Sequence, residues 1–159
     1  MEELPASVQR VASAAREAGL DLEIRLMTES TRTAAEAAVA CGTSEAQIVK
    51  SLIFEGRETG TPLLFLVAGS NRLDEGKVAA HLGEPLARPN AQKVREISGY
   101  AIGGIPPIGH ATRLTTYIDP TLLTFDEVWA AAGTPNSIFP VDPRRLKAAT
   151  LAEELDLKA

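Results

Sequence analysis

Five consecutive apolar residues, Leu63, Leu64, Phe65, Leu66 and Val67, constrain this chain more than any other feature. The run is too short for a buried helix and is bounded by Pro62 on one side and Gly69 on the other. It therefore reads as a strand. Successive strand side chains point to opposite faces, so an unbroken apolar run needs cover on both. That excludes a half-exposed meander and asks for a layered arrangement with this strand at its centre. A partner lies just upstream: residues 48–55 form a second strand, joined to residues 62–68 by a polar turn over residues 56–60.

The other elements supply the layers. A helix is predicted over residues 5–18, with Val8, Val11, Ala12, Ala15 and Ala18 on one stripe and Gly19 closing it. Residues 22–26 alternate like a half-exposed strand. Thr33 and Glu36 make a capping box opening an Ala-rich helix that ends at Gly42, and residues 44–47 carry a second, shorter capping signal. Further helices are expected over residues 74–82 and 91–97, stopped by Gly83 and Gly99, and from Pro143 with Asp142 as cap. Residues 114–118 and 137–141 are strand-like, and residues 125–132 fit either state. Strands and helices interleave without repeat or linker, which predicts one mixed α/β domain over residues 1–159.

Composition narrows the function classes. The 159 residues are 45% hydrophobic and 23% charged, which is ordinary for a globular chain, and only 4% aromatic. One cysteine, Cys41, excludes an internal disulfide and fits a reducing compartment. The start of the chain is acidic and lacks a signal-peptide pattern, and no apolar run is long enough to cross a bilayer, so a cytoplasmic protein is expected. The net charge of −5 argues against coating nucleic acid by charge alone. The distribution is uneven: residues 1–45 carry eight acids and four bases, whereas residues 72–113 carry six bases and four acids. A local basic surface that touches one end of an RNA fits this pattern.

The usual catalytic signatures are missing. Two histidines, His81 and His110, and one cysteine form no metal-ligand spacing, and no nucleophile elbow, P-loop or dinucleotide fingerprint occurs. Neither metal nor cofactor is implied. Cys41, among small apolar residues, reads as a buried thiol, and His81 as a partner for the end of a helix.

Two positive signals remain. Lys50 shares a strand face with Ile48, Leu52 and Phe54, where an ammonium is expensive to bury without a partner. It is either an edge lysine reaching water or a cation held for an anionic ligand. The second signal is the segment Gly103, Gly104, Ile105, Pro106, Pro107, Ile108, Gly109, His110. Its glycines open the backbone and its prolines stiffen it, so it can present fixed amides to an oxyanion; it also serves as a plain tight connection.

The order of features is more specific than any one of them. Val49, Lys50, Ser51 and Leu52, then residues 67–74 (Val-Ala-Gly-Ser-Asn-Arg-Leu-Asp), then the loop at residues 103–110 resemble the YbaK/ProX-type editing domains related to the editing insertion of bacterial prolyl-tRNA synthetase. The similarity runs from about residue 31 to residue 157. It implies a barrel-like mixed β-sheet flanked by helices, and hydrolysis of the ester between a wrong amino acid and the 3′-terminal adenosine of a tRNA. It assigns Lys50, Gly103 and Gly104 to catalysis, and Ser51, Arg72, Ile105, Pro106, Gly109 and His110 to substrate binding, with Arg144 or Arg145 as further cations. The implied partners are the aminoacylated acceptor end of tRNA(Pro) and prolyl-tRNA synthetase. Pro107 and His110 depart from relatives and bear on which small amino acid is removed: alanine, cysteine, serine or 2-aminobutyrate. Such a domain uses substrate groups for catalysis, which explains the missing triad. A non-catalytic binder of aminoacyl-adenosine, tRNA or a synthetase would share these residues; the intact loop and Lys50 favour the enzyme.

Overall fold

The strand pair expected at residues 48–55 and 62–68 forms the spine of the computed structural model, which describes residues 4–159. Residues 1–3, part of the acidic start read above, lie outside the described residues. In chain order the elements are α1 (Ala6–Glu17), β1 (Arg25–Leu26), α2 (Ala34–Cys41), β2 (Val49–Gly56), β3 (Pro62–Ala68), α3 (Glu75–Leu82), β4 (Leu86–Ala87), α4 (Ala91–Ser98), β5 (Thr115–Ile118), β6 (Val128–Ala131), β7 (Ser137–Val141), α5 (Pro143–Thr150) and β8 (Glu153–Glu154). Short 3-10 turns occupy Glu45–Gln47 and Pro120–Thr124. The strand expected over residues 22–26 is paired only at Arg25 and Leu26, and the ambiguous segment at residues 125–132 resolves as β6.

Two sheets result, one of five strands in the order β4-β2-β3-β5-β8 and one of three in the order β1-β7-β6. β3 is central, antiparallel to β2 and parallel to β5. Its residues from Leu63 to Ala68 are at most 4% exposed. Leu64, Leu66 and Ala68 pack with Val11 and Ala15 of α1, Val94 and Ile97 of α4, and Phe139 of β7. Leu63, Phe65 and Val67 face Val78 of α3, Leu86, Tyr117 and Leu157. Phe65 stacks on Tyr117 at 5.6 Å and meets Phe54 edge-on at 5.7 Å. Each such side chain is worth about 1.5–3 kcal/mol when fully buried, so β3 holds the two layers to one sheet.

The expected barrel does not close. A single parallel bridge, Ile48 to Trp129, links the sheets, and a third apolar cluster of Ala37, Ala38, Ile48, Trp129 and Ile138 fills their junction. The outer strands β4 and β8 are two residues each, too short to carry the ladder around. β4 covers β2 only at Glu55 and Gly56, so the first half of β2 keeps a free edge.

The helix caps follow the sequence. Asp74, Asn90 and Asp142 accept from backbone N–H groups of the first turns of α3, α4 and α5. The Thr33 box is half formed: its hydroxyl accepts from the Glu36 N–H at 3.1 Å and donates to the Glu36 carboxylate at 3.0 Å.

One buried charge ties the sheet together. Asp119, fully buried after β5, accepts from the Ala68 N–H at 3.1 Å, the Thr121 N–H at 2.9 Å and the Asn71 side-chain amide at 2.9 Å. It thus fastens the end of β3 and the turn that follows to the end of β5. Removing the carboxylate strands donors away from water, at about 1–3 kcal/mol each. Asp119→Ala is expected to lower unfolding stability by about 3 kcal/mol or more in urea denaturation, well beyond a typical surface substitution.

Candidate functional site

The free edge of β2 becomes one wall of a cavity of about 450 Å³ at the junction of the two sheets. The residues from Ile48 to Leu52 form that wall. Trp129, Ala131 and Ile138 of the second sheet, Thr31 to Ala34 and Ala37, and Ile102, Gly103 and Ile105 of the glycine-rich loop complete the lining, with Arg32 against Gly103. The lining contains no acidic residue and two cations, Lys50 and Arg32.

Lys50 is half-buried and its ammonium donates to the backbone carbonyl of Asn71 at 2.5 Å. It forms no ion pair among the described residues. Burial first, and the nearby Arg72 guanidinium next, push its pKa below the ordinary lysine value, while Asp119 and Glu45 pull the other way. The lysine is therefore neither swallowed by a carboxylate nor free in water; a neutral carbonyl parks it at the cavity wall. Next to it, the Ser51 hydroxyl is buried without any hydrogen-bond partner.

The glycine-rich loop is positioned from behind. Tyr100 donates its hydroxyl to the Gly109 carbonyl at 2.7 Å, and His110 Nε2 lies 2.7 Å from the Pro106 carbonyl. A carbonyl only accepts, so that nitrogen carries the proton. Gly104 faces away from the cavity: its N–H goes to the Ala101 carbonyl at 3.2 Å, and its carbonyl takes the Gly133 N–H at 3.0 Å. A Cβ there would meet the backbone of Thr134 at 2.6 Å, so glycine is needed for this close approach. The N–H groups of Gly103 and Ile105 have no acceptor among the described residues. Arg32 lies over Gly103, whose φ is +102°, and a Cβ at that glycine would meet the Arg32 side chain at 2.8 Å.

Of the residues singled out in the sequence, Lys50, Ser51, Gly103 and Ile105 line this cavity. Gly104 and Pro106 sit behind it, and Gly109 and His110 face a shallow depression on the far side of the loop. Arg72 lines a separate groove that also includes Lys50. Arg144 pairs with Asp142 at 3.2 Å and Asp126 at 3.8 Å, and neither it nor Arg145 reaches the cavity. Cys41 and His81 lie outside it as well. Sequence reasoning missed Arg32 and Trp129. Arg32 stands directly before the Thr33 cap, where it read as an ordinary loop cation, and Trp129 sat in the segment of undecided state.

The three side chains first in line to act as a base are otherwise engaged. Asp74 and Asp142 are occupied as helix caps, and burial holds the His110 pKa down to about 4 despite its bond to Pro106. Among the described residues no group of three or more His, Cys, Asp or Glu could hold a metal, and no helix is long and apolar enough to cross a membrane.

The family model for the aminoacyl-tRNA editing domain matches residues 28–149, which takes in every wall of this cavity. The chain belongs to that family. A crystal structure of a candidate trans-editing enzyme for prolyl tRNA synthetase is 47% identical, covers 99% of both chains and superposes with a TM-score of 0.92. The uncharacterized protein YwhH of Bacillus subtilis (strain 168) is 33% identical over 117 residues, 74% of each chain. A proline–tRNA ligase of Limosilactobacillus fermentum is 33% identical over 100 residues, 60% of this chain but 17% of that much longer enzyme. Family membership thus rests on the matched domain and on structural agreement over 99% of both chains.

His110 generates a prediction for stability. Its pKa is 6.5 unfolded and about 4 folded, so the unfolded chain binds the proton first as pH falls. The stability this histidine preserves is complete above pH 6.5 and is lost progressively toward pH 4. His110→Gln is expected to remove that component. Between pH 7 and pH 4.5, urea denaturation of the native protein should show a loss larger by on the order of 2–3 kcal/mol than that of the variant.

Proposed function

We propose that this chain is a free-standing editing hydrolase that deacylates mischarged tRNA, with tRNA(Pro) carrying a small wrong amino acid as its substrate. The observation that carries the reading is an acid-free cavity lined both by Lys50, parked on a neutral carbonyl, and by Gly103 and Ile105, whose N–H groups have no acceptor among the described residues. The 3′-terminal adenosine and its amino acid enter this cavity. Lys50 exchanges its carbonyl for a phosphate oxygen, and the Gly103 and Ile105 amides face the ester. The neighbouring trans-editing enzyme and the proline–tRNA ligases support tRNA(Pro) as the nucleic acid and a prolyl-tRNA synthetase as a partner in the same cytoplasmic process.

An aminoacyl ester is already activated, so positioning and oxyanion stabilisation supply much of what is needed. Water adds to the ester carbonyl and the carbonyl oxygen becomes the oxyanion held by the loop amides. The ribose hydroxyl beside the ester relays the proton lost by the water to the departing 3′ oxygen. The C–O bond breaks and leaves a free amino acid and a tRNA with an intact terminal ribose. The lack of a poised acid or base among Asp74, His110 and Asp142 supports this substrate-assisted route.

The direct test is a deacylation screen of tRNA(Pro) charged with alanine, cysteine, serine or 2-aminobutyrate, with Pro-tRNA(Pro) as control. Hydrolysis of at least one wrong ester and sparing of the control are expected; binding without turnover of any would make the chain a non-catalytic binder. Lys50→Ala should lower kcat/KM by about ten- to a hundredfold while the circular dichroism spectrum stays unchanged, because one charge-assisted contact is lost.

The mechanism has its own test. A tRNA ending in 2′-deoxyadenosine, esterified on the 3′ oxygen, should turn over slower by roughly 10²–10⁴, the usual worth of general acid–base assistance. Undiminished turnover of that substrate would mean that the protein itself supplies a base.

A further inference from the structure

The editing reading leaves a second, larger concavity unused. It holds about 740 Å³ and shares Lys50 and Leu52 with the first cavity, so these two residues form the ridge between them. Leu52 and Phe54 lie along β2, and the turn after β3 brings in Asn71 and Arg72. Arg88 also lines it, but is held by Glu75 at 2.7 Å and lies over the Phe54 ring at 5.4 Å. Arg72 is different: it is exposed, and its guanidinium makes no ion pair or hydrogen bond among the described residues.

The backbone that delivers Arg72 is fixed on every side. The Gly69 N–H bonds the Ile48 carbonyl at 2.7 Å, and the Asn71 N–H bonds that of Ala68 at 2.8 Å. The Asn71 side chain is held by Asp119 at 2.9 Å and Thr121 at 3.0 Å, and the Arg72 carbonyl takes the Ala159 N–H at 2.9 Å. The same turn presents the Asn71 carbonyl that parks Lys50. Asp119, the buried acid beneath it, is engaged by three donors and bonds neither cation. The turn thus brings two cations together, and although Asp119 and Glu45 lie near enough to act on Lys50 and Glu75 lines the groove, no acid among the described residues is bonded to either cation. That is unfavourable in the free protein, and an anion bridging the two relieves it.

We propose that Lys50 and Arg72 together cradle the phosphodiester 5′ to the terminal adenosine, and that the second groove receives the penultimate nucleotide of the same RNA strand. This inference rests on the editing reading, which puts the terminal nucleoside in the first cavity. Because Lys50 belongs to both concavities, a strand whose last nucleoside fills one carries its 5′ phosphate onto the ridge and continues into the other. Leu52 and the Arg88 guanidinium that covers the buried Phe54 ring give the penultimate base a surface to lie on. Lys50 and Arg72 meet the backbone rather than base edges, so this contact positions the strand without reading its sequence.

The test compares dissociation constants of the full chain for adenosine, adenosine 5′-monophosphate, the dinucleotide cytidylyl-(3′→5′)-adenosine and inorganic phosphate, measured by NMR titration. The monophosphate should bind about tenfold or more tightly than adenosine, since a charge-assisted contact is gained. The dinucleotide should bind more tightly again, and inorganic phosphate more weakly than the monophosphate. Arg72→Ala should remove most of the monophosphate-to-adenosine ratio, and Arg72→Lys should restore much of it. Equal binding of monophosphate and adenosine, or a ratio that survives in Arg72→Ala, overturns the cradle. A dinucleotide no tighter than the monophosphate overturns the second groove, and phosphate binding as well as the monophosphate makes this a general anion site instead. If the deacylation screen succeeds while these ratios stay flat, only the present inference falls. If the screen fails and adenosine does not bind, the editing reading falls with it.

Discussion

Everything in this fold depends on β3 being buried on both faces. A strand with apolar side chains above and below cannot lie at a surface, so helices must pack one side and further chain the other. The two ends of β3 then have different duties. Its start closes the hairpin with β2, where Pro62 pairs Glu55, and the far end of the ladder sets Val67 opposite Lys50. Its end, fixed by the Asp119 carboxylate, launches the turn from Gly69 to Arg72 at a constant position. Cation placement at the site is therefore a consequence of core packing, and no long flexible loop is involved.

The chemistry follows the same economy of parts. Charged groups that look available in sequence turn out to be structural: Asp74 and Asp142 hold helix ends, Arg144 pairs with neighbouring acids, and the half-buried His110, its pKa pushed down to about 4, bonds the Pro106 carbonyl. What remains at the cavity is one half-buried ammonium, an arginine over the loop, an orphan hydroxyl, and two loop residues whose N–H groups have no acceptor among the described residues. Such a set binds an anion and a polarised carbonyl well and transfers protons poorly. On the proposed mechanism, leaving the proton to the substrate restricts turnover to esters that carry a neighbouring hydroxyl, which is a form of selectivity in itself.

Much of this was legible in the residues. The apolar run at residues 63–67 named the central strand, and the caps at Asp74, Asn90 and Asp142 with the stops at Gly42, Gly83 and Gly99 placed four helices within a residue or two. Lys50 stood out because an ammonium on an apolar face needs a reason. What escaped were features made by long-range pairing. β4 and β8 are two residues each and carry no periodicity, so nothing in the sequence marks them. The closed barrel failed because closure depends on the length of those edge strands. Gly103 and Gly104 looked equivalent, yet one faces the cavity and the other packs on Thr134, a distinction only tertiary contact creates.

The gap between the two sheets has a further consequence. An unpaired strand edge is usually a liability, because it offers donors and acceptors to any passing chain. Here the free half of β2 lines the cavity that it shares with Trp129 and the glycine-rich loop, and on the editing reading a single-stranded nucleotide occupies that edge. On that reading the break in the ladder is the entrance. Any evolutionary change that lengthened β4 or extended the Ile48–Trp129 bridge would knit the sheets into a firmer body and seal the doorway at the same stroke. Selection for turnover and selection for rigidity pull on the same few hydrogen bonds, so the family's activity and its incomplete sheet are expected to persist or disappear together.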